Sequence, residues 1–325
     1  MSQHDVRITG FASYLPKLMH TNATLPPLDE PIGDDELQRI GVFRRGWAGD
    51  DEGVADMALA AAQRALARAG VRADELDVVI VANWTQRRFL PEFAPKLKLL
   101  LGAARAFAHD LGCACAGFLY GVATASEFLR NPRHRRALVV ASETTSRRAR
   151  PGSRGTLILG DGAGAFVLER GDGTSASRGG KLLDYELASD GEHHGIMEIN
   201  AAGWVQTYLP QRELCALAAR SIADVSKRLL ARNGVTLADI TWLVPHSGTA
   251  GVQAAIARTL ELPDERILTN YGEVGNVSSA SIPVALDHFV AAGRVRPGDL
   301  VLSAAVGGGW YVAAALYTVG AAVNA

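Results

Sequence analysis

The chain of 325 residues contains only three cysteines and no long uncharged apolar run. A small, odd number of thiols argues against a disulfide framework and is typical of proteins from a reducing compartment. No stretch approaches the roughly 18 uncharged apolar residues that a membrane span needs. The first residues show no basic segment followed by an apolar one. We therefore expect a cytoplasmic protein that neither spans nor enters a membrane.

An excess of charge of one sign is also missing, because 33 basic and 34 acidic residues give a net charge of −1. Nothing in this balance indicates a nucleic-acid partner or a membrane surface. Cys113 and Cys115 lie two positions apart, but no second Cys/His cluster completes a zinc site, so we predict no metal. With 48% apolar residues the chain can bury a large core, which favours two fused sub-domains.

An internal repeat indicates how the chain is divided. RALARAGV at 64–71 recurs as RLLARNGV at 228–235, and each copy ends an amphipathic helix at a glycine. Similar elements follow in the same order: strands over 77–82, 137–141 and 164–168 with a helix over 116–130, then strands over 241–244, 300–304 and 311–317 with a helix over 278–292. Continuous apolar strands alternating with helices predict buried sheets covered on both faces. We predict two similar α/β halves, residues 1–172 and 173–325, with the boundary near the Gly/Ser-rich stretch 171–180.

Three reactive side chains follow apolar strands in this pattern. Cys115 precedes a helix rich in small residues, where the positive end of the helix dipole favours a thiolate nucleophile. A lone cysteine in an apolar run is otherwise a packing residue. His246 follows a strand of the second half, and Asn276 opens another helical run. If equivalent strand ends converge at the centre, these groups form an acyl-transfer site.

Five motifs in family order resemble the thiolase-fold family, specifically β-ketoacyl-acyl-carrier-protein synthase III. They are CAGF from Cys115, LGDGAGA from Leu159, VPH ending at His246, GNVSSASIP from Gly275 and GGGW ending at Trp310. The similarity covers about residues 6–317. It implies a thiolase-like α/β fold whose two pseudo-symmetric halves form a layered αβαβα arrangement.

The resemblance implies a condensing reaction. Cys115 would take an acyl group from a thioester, and a malonyl-type thioester would then lose CO2 and attack the acyl-cysteine. His246 and Asn276 would bind the oxygen on which charge develops, and the backbone N–H groups of Cys115 and Gly308 would form the oxyanion hole. An Asn in the third position differs from the carboxylate base of hydroxymethylglutaryl-forming relatives and from the second cysteine of thiolases. The resemblance also implies no cofactor, acyl-CoA or acyl carrier protein as substrates and partners, and a homodimer.

Further residues would contact the substrate by the same resemblance. They are Arg39, Trp84, Leu90, Arg154, Ser247 and Thr249. The chain departs from the family pattern at several of the surrounding positions. Asp35 stands in place of a tryptophan that stacks on adenine, Thr249 in place of an asparagine, and Gly251 and Ala216 in place of basic residues. These departures favour a specialised polyketide, quinolone or lipid pathway over fatty-acid initiation.

Two alternatives stay open. The first is an acyltransferase that moves the acyl group from Cys115 to an alcohol or amine without decarboxylation. The second is a non-catalytic ketosynthase-like subunit, which the intact Cys115, His246 and Asn276 set disfavours. The arginine-rich segment 147–154 is either a contact for a carrier protein or phosphate, or solvated surface.

Overall fold

The computed structural model describes residues 5–86, 90–172 and 179–320. Its strands are β1 Val6–Tyr14, β2 Met19–Thr21, β3 Arg44–Gly46, β4 Val78–Ala82, β5 Phe107–Leu111, β6 Arg136–Thr144, β7 Asp161–Arg170, β8 Gly180–Ser189, β9 Met197–Ile199, β10 Val205–Thr207, β11 Trp242–Pro245, β12 Leu300–Gly307 and β13 Tyr311–Thr318. Its α-helices are α1 Asp34–Ile40, α2 Val54–Ala69, α3 Ala94–Leu101, α4 Gly117–Arg130, α5 Gly155–Ile158, α6 Gln211–Arg232, α7 Ala250–Leu260, α8 Tyr271–Val274 and α9 Ser281–Ala291.

Within the described residues, nine strands form one sheet in the order β11-β12-β13-β8-β1-β7-β6-β4-β5. From β1 outward, the first two pairings are antiparallel and the next two, β6 with β4 and β4 with β5, are parallel. From β8 outward, the same series recurs through β13, β12 and β11. An isolated parallel bridge between Leu243 and Ile267 takes the place of a fifth strand. The strand order of one half is therefore repeated in the other, and β1 joins the two through a short pairing with β8.

The helices pack in layers around these strands. Helix α2 packs on β1, β6 and β7, and helix α6 packs on β8, β12 and β13. Helices α4 and α9 share one buried core, in which α9 contacts β1 and β7 while α4 contacts β12 and β13. The α4 and α9 pair thus lies between the strands of the two halves, which gives the layers helix, sheet, helix, sheet, helix. Gly164 on β7 allows the close approach, because a Cβ there would lie 2.6 Å from Pro283 of α9.

Each central helix begins later than its apolar run indicates. The run predicted as a helix over 116–130 starts with a 3-10 turn, Ala114–Ala116, before α4, and the run 278–292 starts with the turn Ser278–Ala280 before α9. Ala114 and Ser278 have positive φ angles of 46° and 51°, which excludes both from a regular α-helix. The two turns contact each other at the centre of the molecule. The strands predicted from the sequence differ from the observed strands only at their ends.

The predicted boundary between the halves lies partly outside the described residues, because 173–178 fall in it. The division into 1–172 and 173–325 therefore stays a prediction. Among the helices of the described ranges, none is long and apolar enough to cross a membrane.

Candidate active site

The two halves meet around a cavity of about 590 Å³. Cys115 reaches it from the turn before α4, His246 from the end of β11, and Asn276 from the segment between α8 and α9. The backbone N–H of His246 donates to Ala304 on β12 at 2.8 Å, which ties this residue to the sheet. The structure thus brings together the three side chains that the sequence placed at strand ends.

Cys115 is partly open to the cavity and otherwise surrounded by protein. Burial raises the pKa of its thiol to about 11, a hydrogen bond from Ser278 opposes the shift, and the nearby Glu143 carboxyl adds to it. This differs from the thiolate that its place before a helix suggests, because loss of solvation outweighs the helix terminus. Ser278 Oγ donates to Cys115 Sγ at 3.1 Å.

His246 is buried and its imidazole is neutral at physiological pH. Burial alone lowers its pKa to about 4. Nδ1 lies 3.1 Å from Ser281 Oγ on α9. When the Ser281 hydroxyl donates to Nδ1, the ring proton is on Nε2, which is then a hydrogen-bond donor. The environment therefore suits neutral hydrogen bonding better than a fixed positive charge.

The Asn276 amide is held in one orientation. Its Oδ1 accepts the backbone N–H of Ser278 at 2.8 Å, so Nδ2 is the donor left for a ligand. Gly248 packs against this nitrogen, and a Cβ at Gly248 would lie 2.3 Å from Nδ2. The absence of a side chain at Gly248 therefore makes room for the amide.

A glycine turn after β12 completes this side of the cavity. A Cβ on Gly307 would lie 2.8 Å from the backbone nitrogen of Cys115, so no larger residue fits at this approach. Gly308 lines the cavity beside it. The residues predicted to supply oxyanion-hole N–H groups, Cys115 and Gly308, are therefore on adjoining segments. Their role in binding an oxyanion stays a prediction.

Sequence reasoning missed a buried carboxyl next to this site. Glu143, at the end of β6, accepts hydrogen bonds from Thr85 Oγ1 at 2.7 Å, Ser279 Oγ at 2.5 Å and Asn83 Nδ2 at 3.2 Å. Burial raises its pKa to about 7, although these donors favour the charged form. In the sequence, the adjacent serines Ser278 and Ser279 of the GNVSSASIP motif were the one hint of such a network. Ser278 was also missed as a partner of the thiol.

The predicted substrate contacts divide into two groups. Trp84, Arg154 and Thr249 line the cavity. Among the described residues, the cavity lining does not include Arg39, Leu90 or Ser247, so contact of these three residues with a substrate stays a prediction.

The surroundings of these three residues differ. Arg39 is exposed on α1, and the Leu90 side chain is 89% exposed. Ser247 is buried, and its hydroxyl donates to the Thr249 carbonyl at 3.2 Å, which turns it into the protein. The Thr249 hydroxyl in turn accepts the Val252 N–H at 3.4 Å and caps α7.

The arginine-rich segment at the mouth is engaged by other protein groups. Arg154 is paired with Glu36 and lies 3.5 Å from Glu30, and its hydrogen bond lowers the pKa of Glu36. Arg150 pairs with Asp29 at 2.5 Å. A phosphate that contacts Arg150 or Arg154 must therefore compete with carboxylates already bound to these guanidinium groups.

Comparison with known proteins agrees with this arrangement. Residues 109–191 match the family model of 3-oxoacyl-[acyl-carrier-protein] synthase III, and residues 230–319 match the model of its C-terminal part. A β-ketoacyl-[acyl-carrier-protein] synthase III of Rhodospirillum centenum is 40% identical over 317 residues, which are 95% of this chain and 97% of the relative. The chain belongs to the β-ketoacyl-acyl-carrier-protein synthase III family.

Solved structures of synthase III enzymes have the same fold. The enzyme of Aquifex aeolicus superposes with a TM-score of 0.89 at 31% identity, over 96% of this chain and 99% of that one. The enzyme of Pseudomonas aeruginosa gives a TM-score of 0.88 at 34% identity, over 97% and 98%. These likenesses confirm the thiolase-like α/β fold. The protein is therefore an enzyme of the condensing class to which this family belongs.

Proposed function

We propose that the protein acylates Cys115 from a thioester and then condenses this acyl group with a malonyl-type thioester. The observation that carries the proposal is a thiol, a neutral imidazole and an oriented amide donor around one cavity. The Cys115 sulfur attacks the thioester carbonyl, and the thiol proton leaves with the departing thiol. In this proposal the backbone N–H groups of Cys115 and Gly308 bind the oxyanion of this step.

Decarboxylation then supplies the carbon nucleophile. As the malonyl group loses CO2, the electron pair of the broken C–C bond forms an enolate. The enolate oxygen accepts hydrogen bonds from Asn276 Nδ2 and His246 Nε2. Donors fixed before the reaction are most effective where water is excluded. The enolate carbon attacks the acyl-cysteine carbonyl, and the Cys115 sulfur leaves and is reprotonated. No permanent charge on His246 is needed, in keeping with its low pKa.

Several features support a specialised pathway. A priming ketosynthase of the R1128 polyketide pathway has a TM-score of 0.87 at 26% identity, with 98% of this chain covered. Asp35 lies exposed on α1, and Gly251 and Ala216 bring no basic side chain to their helices.

The curated relatives are named for an acyl carrier protein. We therefore propose an acyl-CoA or acyl-carrier-protein thioester as acyl donor.

Plain acyl transfer is the second candidate, and the state of His246 is what favours it. If Nδ1 instead donates to Ser281 Oγ, the unprotonated Nε2 of the buried neutral imidazole can accept a proton from an alcohol or amine that attacks acyl-Cys115. Asn276 would then have no enolate to stabilise. The two candidates differ in one product, because only condensation releases CO2.

The test is mass spectrometry of the intact protein with acyl-CoA and acyl-carrier thioesters, with and without a malonyl donor. Wild-type protein should gain one acyl group and lose it when the malonyl donor is added. Cys115→Ala should gain none, whereas Cys113→Ala should be acylated as the wild type is. An adduct on Cys113 or Cys215 would overturn the mechanism, and acylation without CO2 release from any malonyl donor would favour plain acyl transfer.

A homodimer is part of this proposal. Strand β5 lies at one end of the sheet, and apolar side chains are exposed on and near it. Leu90 is exposed to 89%, Leu99 to 78% and Phe107 to 37%. Covering such a patch by a second copy would remove both the apolar surface and the open strand edge from water.

A further inference from the structure

Two side chains that the condensation steps do not use form a hydrogen-bond chain ending on the nucleophile. Trp84 Nε1 donates to Ser278 Oγ at 2.7 Å, and Ser278 Oγ lies 3.1 Å from Cys115 Sγ. Trp84 follows β4 in the first half, and Ser278 begins the turn before α9 in the second. Trp84, Ser278 and Cys115 all line the cavity. These two hydrogen bonds therefore connect the two halves of the protein at the reacting sulfur.

The direction of these hydrogen bonds follows from the chemistry of the groups. An indole nitrogen only donates, and a serine hydroxyl has one proton to give. Because Ser278 Oγ accepts the Trp84 proton, its lone pairs are turned toward the indole and its own proton is free to point to the sulfur. Cys115 Sγ is thus the acceptor at the end of the chain.

We propose that Trp84 is a positioning residue that holds the Ser278 hydroxyl toward Cys115 and so stabilises the thiolate relative to the thiol. The inference rests on the proposed role of Cys115 as the acylated residue. A donor binds an anionic acceptor more strongly than a neutral one, so a proton aimed at the sulfur favours the charged form. Without Trp84 the Ser278 hydroxyl would lose the hydrogen bond that fixes its rotation.

The backbone around both donors is held in place. The Ser278 N–H donates to Asn276 Oδ1 at 2.8 Å, and the Trp84 N–H donates to Glu143 at 3.3 Å. Ser278 has a φ of +51°, a left-handed conformation that residues with a side chain rarely adopt. Such conformations persist where the surroundings enforce them. Here the residue held in this conformation is the one whose hydroxyl donates to the Cys115 sulfur.

Apart from the Ser278 hydroxyl and a backbone hydrogen bond at Cys115 itself, the groups around the thiol do not favour its charged form. Burial raises its pKa, and Glu143 on β6 adds a negative charge nearby. His246 lines the same cavity but is neutral, and Tyr120 on α4 has a raised pKa and is neutral as well. Cys113 lies in the same segment and brings no positive charge. Among these side chains, the Ser278 hydroxyl is the one that acts in favour of the thiolate.

The test is the pH dependence of Cys115 alkylation by iodoacetamide, located by fragment-ion mass spectrometry so that Cys113 is distinguished. Trp84→Phe removes the N–H and keeps an aromatic ring, and Ser278→Ala removes the hydroxyl and keeps the Cβ. Each change should raise the pKa of Cys115 by about one unit, the scale of one hydrogen bond to a charged group. At a fixed pH below the pKa, alkylation should slow about threefold, because the higher nucleophilicity of a more basic thiolate offsets part of the tenfold loss of thiolate.

Trp310→Phe is the matched control. Trp310 also lines the cavity, but its Nε1 donates to Ser221 Oγ at 3.0 Å, away from the thiol. The pH dependence of Cys115 alkylation in Trp310→Phe should follow that of the wild type. The double variant Trp84→Phe/Ser278→Ala should match Ser278→Ala alone, because the indole acts only through the hydroxyl. If Ser278→Ala unfolds at a lower temperature, Ser278→Gly removes the same donor at a φ that glycine adopts freely.

Two results would overturn the inference. One is a Trp84→Phe profile identical to that of the wild type. The other is a Trp84 effect that persists in the Ser278→Ala background, which would show that the ring changes reagent access instead of the thiol. The proposed function fails by a different observation, the absence of acylation of wild-type Cys115 by any thioester, so the two failures are distinguishable.

Discussion

Replacing Asn276 by Ala removes a hydrogen-bond donor at the point where charge develops during decarboxylation. Because Asn276 Oδ1 is occupied by the Ser278 N–H at 2.8 Å, Nδ2 is the donor that remains for the proposed enolate. The enolate exists only in the second half-reaction, so the loss should affect that step alone. Removal of one such donor typically costs about 2.7–4 kcal/mol of transition-state stabilisation, or roughly 10²–10³ in rate. We expect CO2 release to fall by this factor while acylation of Cys115 is unchanged.

The assay follows both half-reactions in one sample. Release of labelled CO2 from a malonyl thioester reports the second step, and intact-protein mass reports acyl-Cys115. Asn276→Asp is the matched control, because it keeps an oxygen for the Ser278 N–H but places a carboxylate oxygen where Nδ2 was. It should impair CO2 release at least as much as Ala, since a negative charge opposes the enolate. CO2 release at the wild-type rate in Asn276→Ala, or an equal loss of acylation, would refute the reasoning.

Three further predictions concern the same site and the sheet edge. Gly248→Ala would place a Cβ 2.3 Å from Asn276 Nδ2, so CO2 release should fall and acylation should persist; unchanged CO2 release would show that this amide position is unimportant. Because the pKa of His246 is about 4 in the folded state and 6.5 ordinarily, the unfolded chain takes up a proton as pH falls between these values. The free energy of unfolding should therefore drop by on the order of 3 kcal/mol across that window, and urea unfolding of His246→Gln should show a flatter pH dependence. Light scattering should show a dimer that Leu99→Lys weakens, and a wild-type monomer at micromolar concentration would contradict the proposed interface.

The strand and helix pattern was largely predictable from the sequence. The apolar run of β4 is fully buried in the structure, and that of β12 is buried after Leu300, because a strand covered on both faces has no polar side to show. The repeat of RALARAGV indicated that two halves share one order of elements, and the sheet has that order. The starts of α4 and α9 were not predictable, because the positive φ angles of Ala114 and Ser278 come from contacts between the halves.

The state of the reactive groups depended on their surroundings. A cysteine before a helix suggests a lowered pKa, but burial raises that of Cys115 to about 11. No sequence pattern reports how many protein atoms surround a thiol. Arg154 was expected at the cavity and lies there, but its pairing with Glu36 joins residues 118 positions apart. Neither the 89% exposure of Leu90 nor the burial of Ser247, whose hydroxyl donates to the Thr249 carbonyl, could be read from the sequence.

The sequence by itself determined which reactive side chains this protein has and on which kind of element each lies. Cys115, His246 and Asn276 each stand in a short motif that adjoins a strand or a helix, and such motifs can be recognised from neighbouring residues alone. It also determined the α/β class through the periodicity of apolar residues. Only the tertiary structure decided that the Cys115 sulfur accepts a hydrogen bond from Ser278, 163 positions away, and that Ser278 in turn accepts one from Trp84, 194 positions away. Hydrogen bonds and desolvation depend on distances of a few ångströms in space, and the folding of the two halves onto each other sets these distances.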